Sequence, residues 1–331
     1  MGETIKLTLQ NGQPVSPFGL GLMGMSDFYG SKATRDDRES IATIEMAMER
    51  GITFFNAGDF YGMGHNESLL AQAVKNKRDR AFISVKFGVL RGPNGEFLGL
   101  DTRPAAIKNF ISYSLQRLGT DYIDLYQPGR IDPSLPIEET IGAMADLVKQ
   151  GVIRHIGLSE ASAEQIRQAH AVHPIGAVEV EYSLATRIAE EKILPVTREL
   201  GMSLVAYGAL SRGLLSGGLT GKFDPTDFRA YLPRFSGKEF ESNQATVKQL
   251  NEFAQKRGYT PSQVAIAWVA HQGKDIVTLI GTSKRNRLEE NLKASAIQFS
   301  SDELRQLDAM FKPGAIAGER YPVQQMGIVV H

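Results

Sequence analysis

Eight short apolar segments alternate with longer amphipathic segments along the whole chain, and this alternation limits the possible folds more than any other feature. The short segments are rich in Val, Ile, Phe or Tyr and end at Gly, Ser or an acidic turn, as β-strands do. The predicted strands are FGLGLM (18–23), TFFNAG (53–58), AFISVKFG (81–88), YIDLYQ (122–127), RHIGLS (154–159), AVEVEYS (177–183), SLVAYG (203–208) and VTLIGT (277–282). Helical patterns such as 38–51 and 136–151 lie between them. Eight such units without a break predict a single (β/α)₈ barrel domain over residues 1–331.

Three segments do not fit the repeat. Residues 5–17 predict a hairpin that turns at Asn11-Gly12 and covers the bottom of the barrel. Residues 213–242 are a long excursion after the seventh strand, and long loops in compact domains are usually functional. The irregular, apolar tail from Lys312 is expected to close over the site. The alternative fold is a doubly wound open sheet.

Composition narrows the class of partner. Lys plus Arg and Asp plus Glu number 37 each, so no net field favours nucleic acid or an anionic membrane. The absence of Cys excludes disulfides and thiolate metal sites, and no metal is expected. The first residues lack an apolar signal region, and no stretch approaches the roughly 18 apolar residues of a spanning helix. We therefore expect a cytoplasmic protein acting on a small molecule; the sequence does not indicate its oligomeric state.

Chemically useful side chains follow the predicted strands. In barrels of this kind, active residues lie at the C-terminal ends of the strands. Tyr61 and Lys86 follow neighbouring strands and predict an acid–base unit, in which the ammonium lowers the pKa of the phenol. An interior lysine and a rim aromatic side chain would give the same spacing. The other polar side chains at these ends are Asn56, Asp59, Gln127, Ser159, Glu160, Glu179, Glu181, Thr282, Ser283 and Lys284.

The segment GTSKRNRLEENL (281–292) predicts a phosphate site. A Gly-Thr-Ser turn at a helix N-terminus presents backbone amides to an anion, and Lys284, Arg285 and Arg287 crowd the same turn. An ordinary capped helix with a solvated basic face is the alternative. The position after the last strand of a barrel favours the phosphate site.

Seven blocks of the chain together resemble the aldo-keto reductases. They are FFNAGDFYGMGHNE (54–67), FISVKFG (82–88), DYIDLYQ (121–127), IRHIGLSE (153–160), EYSLATR (181–187), LVAYGALSRGLLSG (204–217) and IGTSKRNRLEENL (280–292). They occur in the family's order and span nearly the whole chain. The resemblance implies a reductase that transfers hydride from NADP(H) to a small-molecule aldehyde or ketone.

The resemblance also implies roles for individual residues. Tyr61 is the general acid and Lys86 its partner; Ser159 contacts the nicotinamide carboxamide beside Glu160, and Tyr207 stacks under the ring. The segment that wraps the pyrophosphate comprises Ala209, Leu210, Ser211, Arg212, Gly213 and Leu214. The 2′-phosphate turn and adenine contacts comprise Gly281, Thr282, Ser283, Lys284, Arg287, Glu290 and Asn291.

Two positions of the expected catalytic tetrad depart from the family. Asn56 stands where the family has aspartate, so Lys86 is expected to have a weaker partner. Gly129 stands where the family has histidine, which removes a donor and is expected to leave a void. Glu179, where the family often has glutamine, is expected to place a second carboxylate beside Glu160 near the carboxamide.

None of the neighbouring polar residues is a convincing substitute for the histidine or the aspartate. Strand alternation directs Arg130 and Asp59 away from the site and His155 into a deeper layer of the barrel. His65 lies on the helix that opens after Tyr61 and is expected to reach solvent or its loop.

The departures lead to a functional hypothesis with open alternatives. We expect slow reduction of ordinary aldehydes and a bulkier true substrate. The alternatives are reduction of an activated double bond or of a special carbonyl such as a pyridoxal-like aldehyde, and a low-turnover NADPH-binding regulatory protein. The predicted substrate lining, which favours an apolar or aromatic ligand, comprises Met25, Phe28, Tyr29, Phe60, Leu90, Phe228 and Tyr231.

Overall fold

The computed structural model describes residues 5–6 and 14–330, and its central element is a closed barrel of eight parallel strands. The strands are β1 (Ile5–Lys6), β2 (Pro14–Val15), β3 (Phe18–Gly21), β4 (Phe54–Gly58), β5 (Phe82–Phe87), β6 (Val89–Arg91), β7 (Phe97–Leu100), β8 (Ile123–Pro128), β9 (Ile153–Ser159), β10 (Ile175–Glu181), β11 (Ser203–Tyr207) and β12 (Ile276–Gly281). The barrel order is β3-β4-β5-β8-β9-β10-β11-β12, and β12 pairs with β3 to close it. The predicted (β/α)₈ barrel is confirmed, and the open-sheet alternative is wrong.

Helices follow the barrel strands and cover them on the outside. They are α1 (Asp37–Glu49), α2 (His65–Val74), α3 (Pro104–Leu118), α4 (Ile137–Lys149), α5 (Ala163–Val172), α6 (Ile188–Lys192), α7 (Leu194–Glu199), α8 (Gly237–Lys256), α9 (Pro261–Ala270), α10 (Arg285–Leu292), α11 (Ser301–Met310) and α12 (Val323–Met326). The sequence sets several of their boundaries. Pro104 and Pro261 open α3 and α9, for example, where the missing backbone N–H of proline costs nothing.

Two apolar cores follow from the alternation of side chains along each strand. The larger core lies between the strands and the helices. The smaller core fills the barrel interior and comprises Val15, Phe54, Phe82, Leu125, Ala177, Val205, Val277 and Leu279. Gly19, Gly21 and Gly24 have the spacing of a dinucleotide-binding turn, but Gly19 belongs to β3 and serves packing. A Cβ there would lie 2.7 Å from Leu279 and 2.9 Å from Phe54.

The segments outside the repeat agree only in part with expectation. β1 and β2 pair antiparallel, as the predicted hairpin requires, but its turn at Asn11-Gly12 lies outside the described residues. An unpredicted antiparallel hairpin, β6–β7, extends the loop after β5. The excursion predicted over 213–242 ends earlier, because α8 already begins at Gly237.

Two absences hold for the described residues, 5–6 and 14–330. No helix there is long and apolar enough to cross a membrane. Nor do three or more His, Cys, Asp or Glu side chains come together in a group that would hold a metal ion.

Candidate active site

A buried polar cluster lies inside the barrel where β4, β5, β8 and β10 end. Lys86 Nζ donates to Asn56 Oδ1 and lies 3.1 Å from Glu179 Oε1. Asn56 Nδ2 donates to Glu179 Oε2 over 2.7 Å, and Gln127 Nε2 donates to the same oxygen over 2.5 Å. No side chain of the four is more than 4% exposed. The four ends therefore meet in one hydrogen-bonded network around a single ion pair.

Two expectations about this cluster are wrong. Lys86 does not have a weaker partner, because the carboxylate of Glu179 forms an ion pair with it. The carboxylates of Glu179 and Glu160 do not lie side by side either. The backbone N–H of Glu160 donates to the Glu179 carbonyl, but the two carboxylates have different partners. Strand order explains the first result, since β10 lies opposite β4 in the eight-stranded ring and its side chains reach the centre from the far side.

Tyr61 lies beside this cluster, in the turn between β4 and α2. It is 6% exposed, and Lys86 Nζ lies 5.3 Å from its ring centroid. Burial raises the pKa of Tyr61 well above its usual value, the Glu179 charge raises it further, and Arg130 opposes both. The expected lowering of the Tyr61 pKa is therefore wrong in direction, because burial outweighs the opposing charge of Arg130. Burial also lowers the pKa of Lys86, and Glu179 opposes that shift.

The expected void at Gly129 is filled. A Cβ at this position would lie 3.0 Å from Phe60 Cε1 and 3.1 Å from Val89 Cγ2. Phe60 packs edge-to-face on Tyr61, with the ring centroids 4.7 Å apart. The space that an imidazole would need is therefore filled by Phe60, from the loop after β4, and by Val89 at the start of β6.

Arg130 turns towards the site, contrary to expectation. Its Nη2 donates to the Tyr321 hydroxyl over 3.1 Å, and its charge acts on both Tyr61 and Glu160. The expectation failed because it extended strand alternation past Pro128, where β8 ends. A guanidinium thus lies next to the position where the family has histidine.

Asp59, His65 and His155 lie where the sequence placed them, and none reaches Tyr61. His65 contacts Ser26 and Asp37 at the start of α2. His155 stacks on Phe82, a residue of the barrel-interior core, and burial with the nearby Arg154 charge lowers its pKa to about 4. Asp59 is a buried carboxyl whose pKa is raised by burial and by Glu67.

The C-terminal tail covers the mouth of the barrel through Arg320 and Tyr321, as expected for this segment. Arg320 donates to both carboxylate oxygens of Glu160, at 3.1 and 2.9 Å, and the Val330 N–H donates to Glu160 over 3.0 Å. Tyr207 donates to the same carboxylate over 2.8 Å, and its hydroxyl lies 3.1 Å from that of Tyr321. Burial alone would raise the pKa of Glu160, but Arg320 and the other donors lower it to about 2.

Arg320 and Tyr321 were not identified from the sequence. The available signal was a charged residue and a tyrosine side by side in an otherwise apolar tail. The pattern of strand ends does not include these residues, because they reach the site from a segment without regular structure.

The segment after β11 has an unusual backbone. Ser211, Arg212 and Gly213 have φ values of 44°, 54° and 93°, and left-handed conformations of residues other than glycine cost about 1 kcal/mol or more each. Ser211 Oγ is buried without a hydrogen-bond partner in the described chain, and so is Ser159 Oγ at the end of β9. Arg212 Nη1 forms a buried ion pair with Glu181 Oε2 at 3.2 Å. Unpartnered buried polar atoms are rare in native proteins and indicate a missing partner. The donors fit a cofactor's carboxamide and phosphates.

The turn before α10 presents two cations. Lys284 is the N-cap residue of α10, its own N–H donates to Thr282 Oγ1 over 3.2 Å, and Arg287 is exposed one turn later. Neither forms an ion pair within the described part of the chain, whereas Arg285 is paired with Glu39 at 2.9 Å. The remaining predicted adenine residues differ in exposure: Glu290 is exposed and Asn291 is buried.

The predicted substrate-lining residues do not all lie together around Tyr61. Phe28 packs edge-to-face on Tyr61 and on Phe228, at 5.9 and 5.8 Å between ring centroids. Met25 belongs to the outer core at 1% exposure. Tyr231 is 64% exposed, and its hydroxyl donates to the Pro225 carbonyl within its own loop, so no contact brings it to the mouth. Tyr29, Leu90 and Phe60 are partly buried.

Comparison with known proteins gives one family match and several similar structures. The model of the aldo/keto reductase family matches residues 17–312. The glycerol dehydrogenase of Gluconobacter oxydans is 28% identical with a TM-score of 0.82, over 93% of this chain and 94% of that one. A thermostable aldo-keto reductase in complex with the inhibitor epalrestat is 29% identical with a TM-score of 0.72, over 93% and 98%. An aldo/keto reductase of Klebsiella pneumoniae, in complex with NADP and acetate, is 23% identical with a TM-score of 0.73, over 97% and 99%; this last likeness shows the fold alone.

Proposed function

Because the chain belongs to the aldo/keto reductase family, a family of oxidoreductases, we propose that it reduces an aldehyde or ketone with NADPH and that Tyr61 donates the proton. One observation carries the proposal. A phenol 6% exposed lies beside the buried ammonium of Lys86 at the C-terminal mouth of a barrel. The likeness to a glycerol dehydrogenase, an enzyme of alcohol and carbonyl chemistry, supports the same class of reaction.

Unmet hydrogen bonds and positive charge indicate the cofactor-binding residues. Ser159 is suited to the carboxamide and Ser211 to the phosphates, because their buried hydroxyls lack partners within the described residues. The Arg212 guanidinium, ion-paired with Glu181 at 3.2 Å, adds positive charge beside Ser211. Lys284 and Arg287 are suited to a 2′-phosphate at the start of α10, which favours NADPH over NADH. NADPH, when bound, supplies the hydride.

The protein's own residues handle the proton and the developing charge. Burial keeps Tyr61 protonated, so its hydroxyl can donate to the substrate oxygen. The Lys86 ammonium beside the ring then stabilises the phenolate that remains. Arg130 adds a second positive charge on the side where the family has histidine. A preorganised cation near a developing oxyanion lowers the activation free energy of the reaction, because the protein does not have to reorganise as the charge forms.

Single-turnover oxidation of NADPH tests the proposal. The wild-type protein is mixed with NADPH and a panel of aldehydes, diketones and enones, and absorbance of the reduced nicotinamide is followed. We expect turnover with carbonyls, and Tyr61→Phe should lower the rate by about 10²–10⁴-fold with little change in NADPH affinity. The control is Tyr113→Phe, which removes a hydroxyl from a 52% exposed tyrosine on α3.

Three results would contradict the proposal in different ways. A normal rate in Tyr61→Phe would mean that another group donates the proton. Turnover with enones alone would assign reduction of an activated double bond. Tight NADPH binding with no oxidation by any compound would assign a low-turnover regulatory role.

A further inference from the structure

The charge that faces Lys86 comes from an unexpected strand. Among the described residues, Glu179 is the carboxylate within ion-pair distance of Lys86 Nζ, at 3.1 Å. It belongs to β10, which lies opposite β4 in the barrel, whereas the position on β4 where the family has aspartate is the neutral Asn56. Relative to the family pattern, the negative charge at position 56 on β4 is therefore missing, and a negative charge is present across the barrel at Glu179 on β10.

Asn56 and Glu179 are chemically matched to each other. The amide oxygen of Asn56 accepts from Lys86, and its amide nitrogen donates to Glu179 over 2.7 Å. An aspartate at 56 would be unable to donate and would place a second anion against Glu179. Two buried carboxylates at this distance do not both ionise readily. The amide of Asn56 is thus compatible with an ionised Glu179 carboxylate on β10, whereas an aspartate is not.

Further contacts fix the carboxylate. Glu179 Oε2 accepts from Gln127 over 2.5 Å as well as from Asn56, and it lies 3.4 Å from Lys86 Nζ. Glu179 is 3% exposed, so water does not compete for these bonds. Hydrogen bonds to an ionised carboxylate are stronger than those between neutral groups, so these contacts hold Glu179 firmly in place.

We propose that Glu179 is the positioning residue that holds and charges Lys86, and through Lys86 tunes Tyr61, in the role that the family gives to the aspartate at position 56. The proposal rests on the proposed function of Tyr61 as proton donor. The charged or titratable groups that face the Lys86–Tyr61 pair are Glu179 from β10, Arg130 from the loop after β8, Tyr29 from the loop after β3, and Tyr321 from the tail. Of these, Glu179 is the anion.

The sign of the effect follows from the charge. Glu179, 3.1 Å from Lys86 Nζ, raises the pKa of Lys86, so without this anion the ammonium that stabilises the Tyr61 phenolate loses its proton at lower pH. In Glu179→Gln, the basic limb of the pH profile for single-turnover reduction should move down by about 1 unit or more. In the double variant Asn56→Asp with Glu179→Gln, the charge returns on β4, and the limb should lie within about half a unit of the wild type.

Asp124→Asn is the matched control. Asp124 is also a buried, ion-paired carboxylate, 1% exposed and 2.6 Å from Arg78, but it lies near the start of β8 at the other end of the barrel. We expect this variant to lose stability without a shift of the basic limb. A merely structural role for Glu179 would give the same pattern as this control.

Thermal unfolding provides a readout that needs no turnover. Breaking a buried ion pair in Glu179→Gln should lower Tm by about 4–7 °C, and the double variant should regain about half of that loss or more. This recovery would be seen even if the protein reduced no carbonyl, so failure of the proposed function and failure of this proposal are distinguishable.

Two results would overturn the proposal. One is a wild-type basic limb in Glu179→Gln. The other is a double variant that is no better than Glu179→Gln in Tm and pH profile. If Glu179→Gln does not fold, the double variant alone tests the proposal. A double variant that folds and has the wild-type basic limb supports the proposal that Glu179 acts through its charge. A double variant that does not fold would mean that Glu179 is needed for packing instead.

Discussion

Substitution of Gly129 by histidine would restore a catalytic group according to the family pattern, but the structure predicts that it disrupts the site. A Cβ at Gly129 would lie 3.0 and 3.3 Å from Phe60 Cε1 and Cζ, and 3.1 Å from Val89 Cγ2. Carbon atoms in favourable contact are about 3.5–4.0 Å apart. Phe60 and Val89 must therefore move by several tenths of an ångström for Cβ alone, and further for the imidazole.

The cost can be estimated from other overpacked sites. Additional atoms in a packed region typically cost about 1–3 kcal/mol. For a chain of this size we expect Gly129→His to lower Tm by about 1–4 °C. Because Phe60 packs on Tyr61 at 4.7 Å between ring centroids, its displacement also disturbs the proton donor. The variant should therefore reduce small aldehydes no faster than the wild type.

Calorimetry and single-turnover NADPH oxidation check this prediction together. Gly129→Ala, which adds Cβ alone, should show a smaller loss of Tm. Adding Phe60→Ala to Gly129→His should recover part of the loss, since it removes the clashing ring. A Gly129→His protein that melts at the wild-type temperature and reduces small aldehydes faster would show that the space is open and that the reasoning is wrong.

Three further predictions concern charge. Replacing Lys284 and Arg287 together by Ala should weaken NADPH binding by about tenfold or more and leave NADH binding nearly unchanged, as measured by fluorescence quenching; equal losses for both cofactors would count against a 2′-phosphate contact. Arg130→Gln should slow single-turnover reduction by about 10²-fold, and an unchanged rate would exclude the guanidinium from the reaction. The pKa of Glu160 is held at about 2, below its ordinary value, so its stabilisation is complete above about pH 5 and is lost as pH falls towards 2. Wild type should therefore lose up to about 3 kcal/mol of unfolding free energy over that range, and Glu160→Gln should lack this part of the dependence in urea titrations at each pH.

The sequence by itself determined the architecture. All eight predicted barrel strands are present within a few residues of their predicted limits, because the apolar pattern and the turn residues are local properties of the chain. It also identified Tyr61, Lys86 and the turn before α10 as candidates, since parallel strands bring their C-terminal ends to one face whatever the details of packing. It predicted that the tail closes over the site, from its position and apolar composition.

The tertiary structure alone decided which of these groups touch. Glu179 meets Lys86 across the barrel because strand tilt and stagger select the interior side chains that share a layer, and no local pattern contains that information. Arg130 turns inward because alternation no longer applies beyond the strand. Phe60 fills the space beside Gly129 from another loop, and Arg320 reaches Glu160 over 160 residues of sequence separation. Local periodicity sets where strands and helices form, whereas charge pairing and the filling of space depend on contacts between distant segments, which exist only once the barrel has closed.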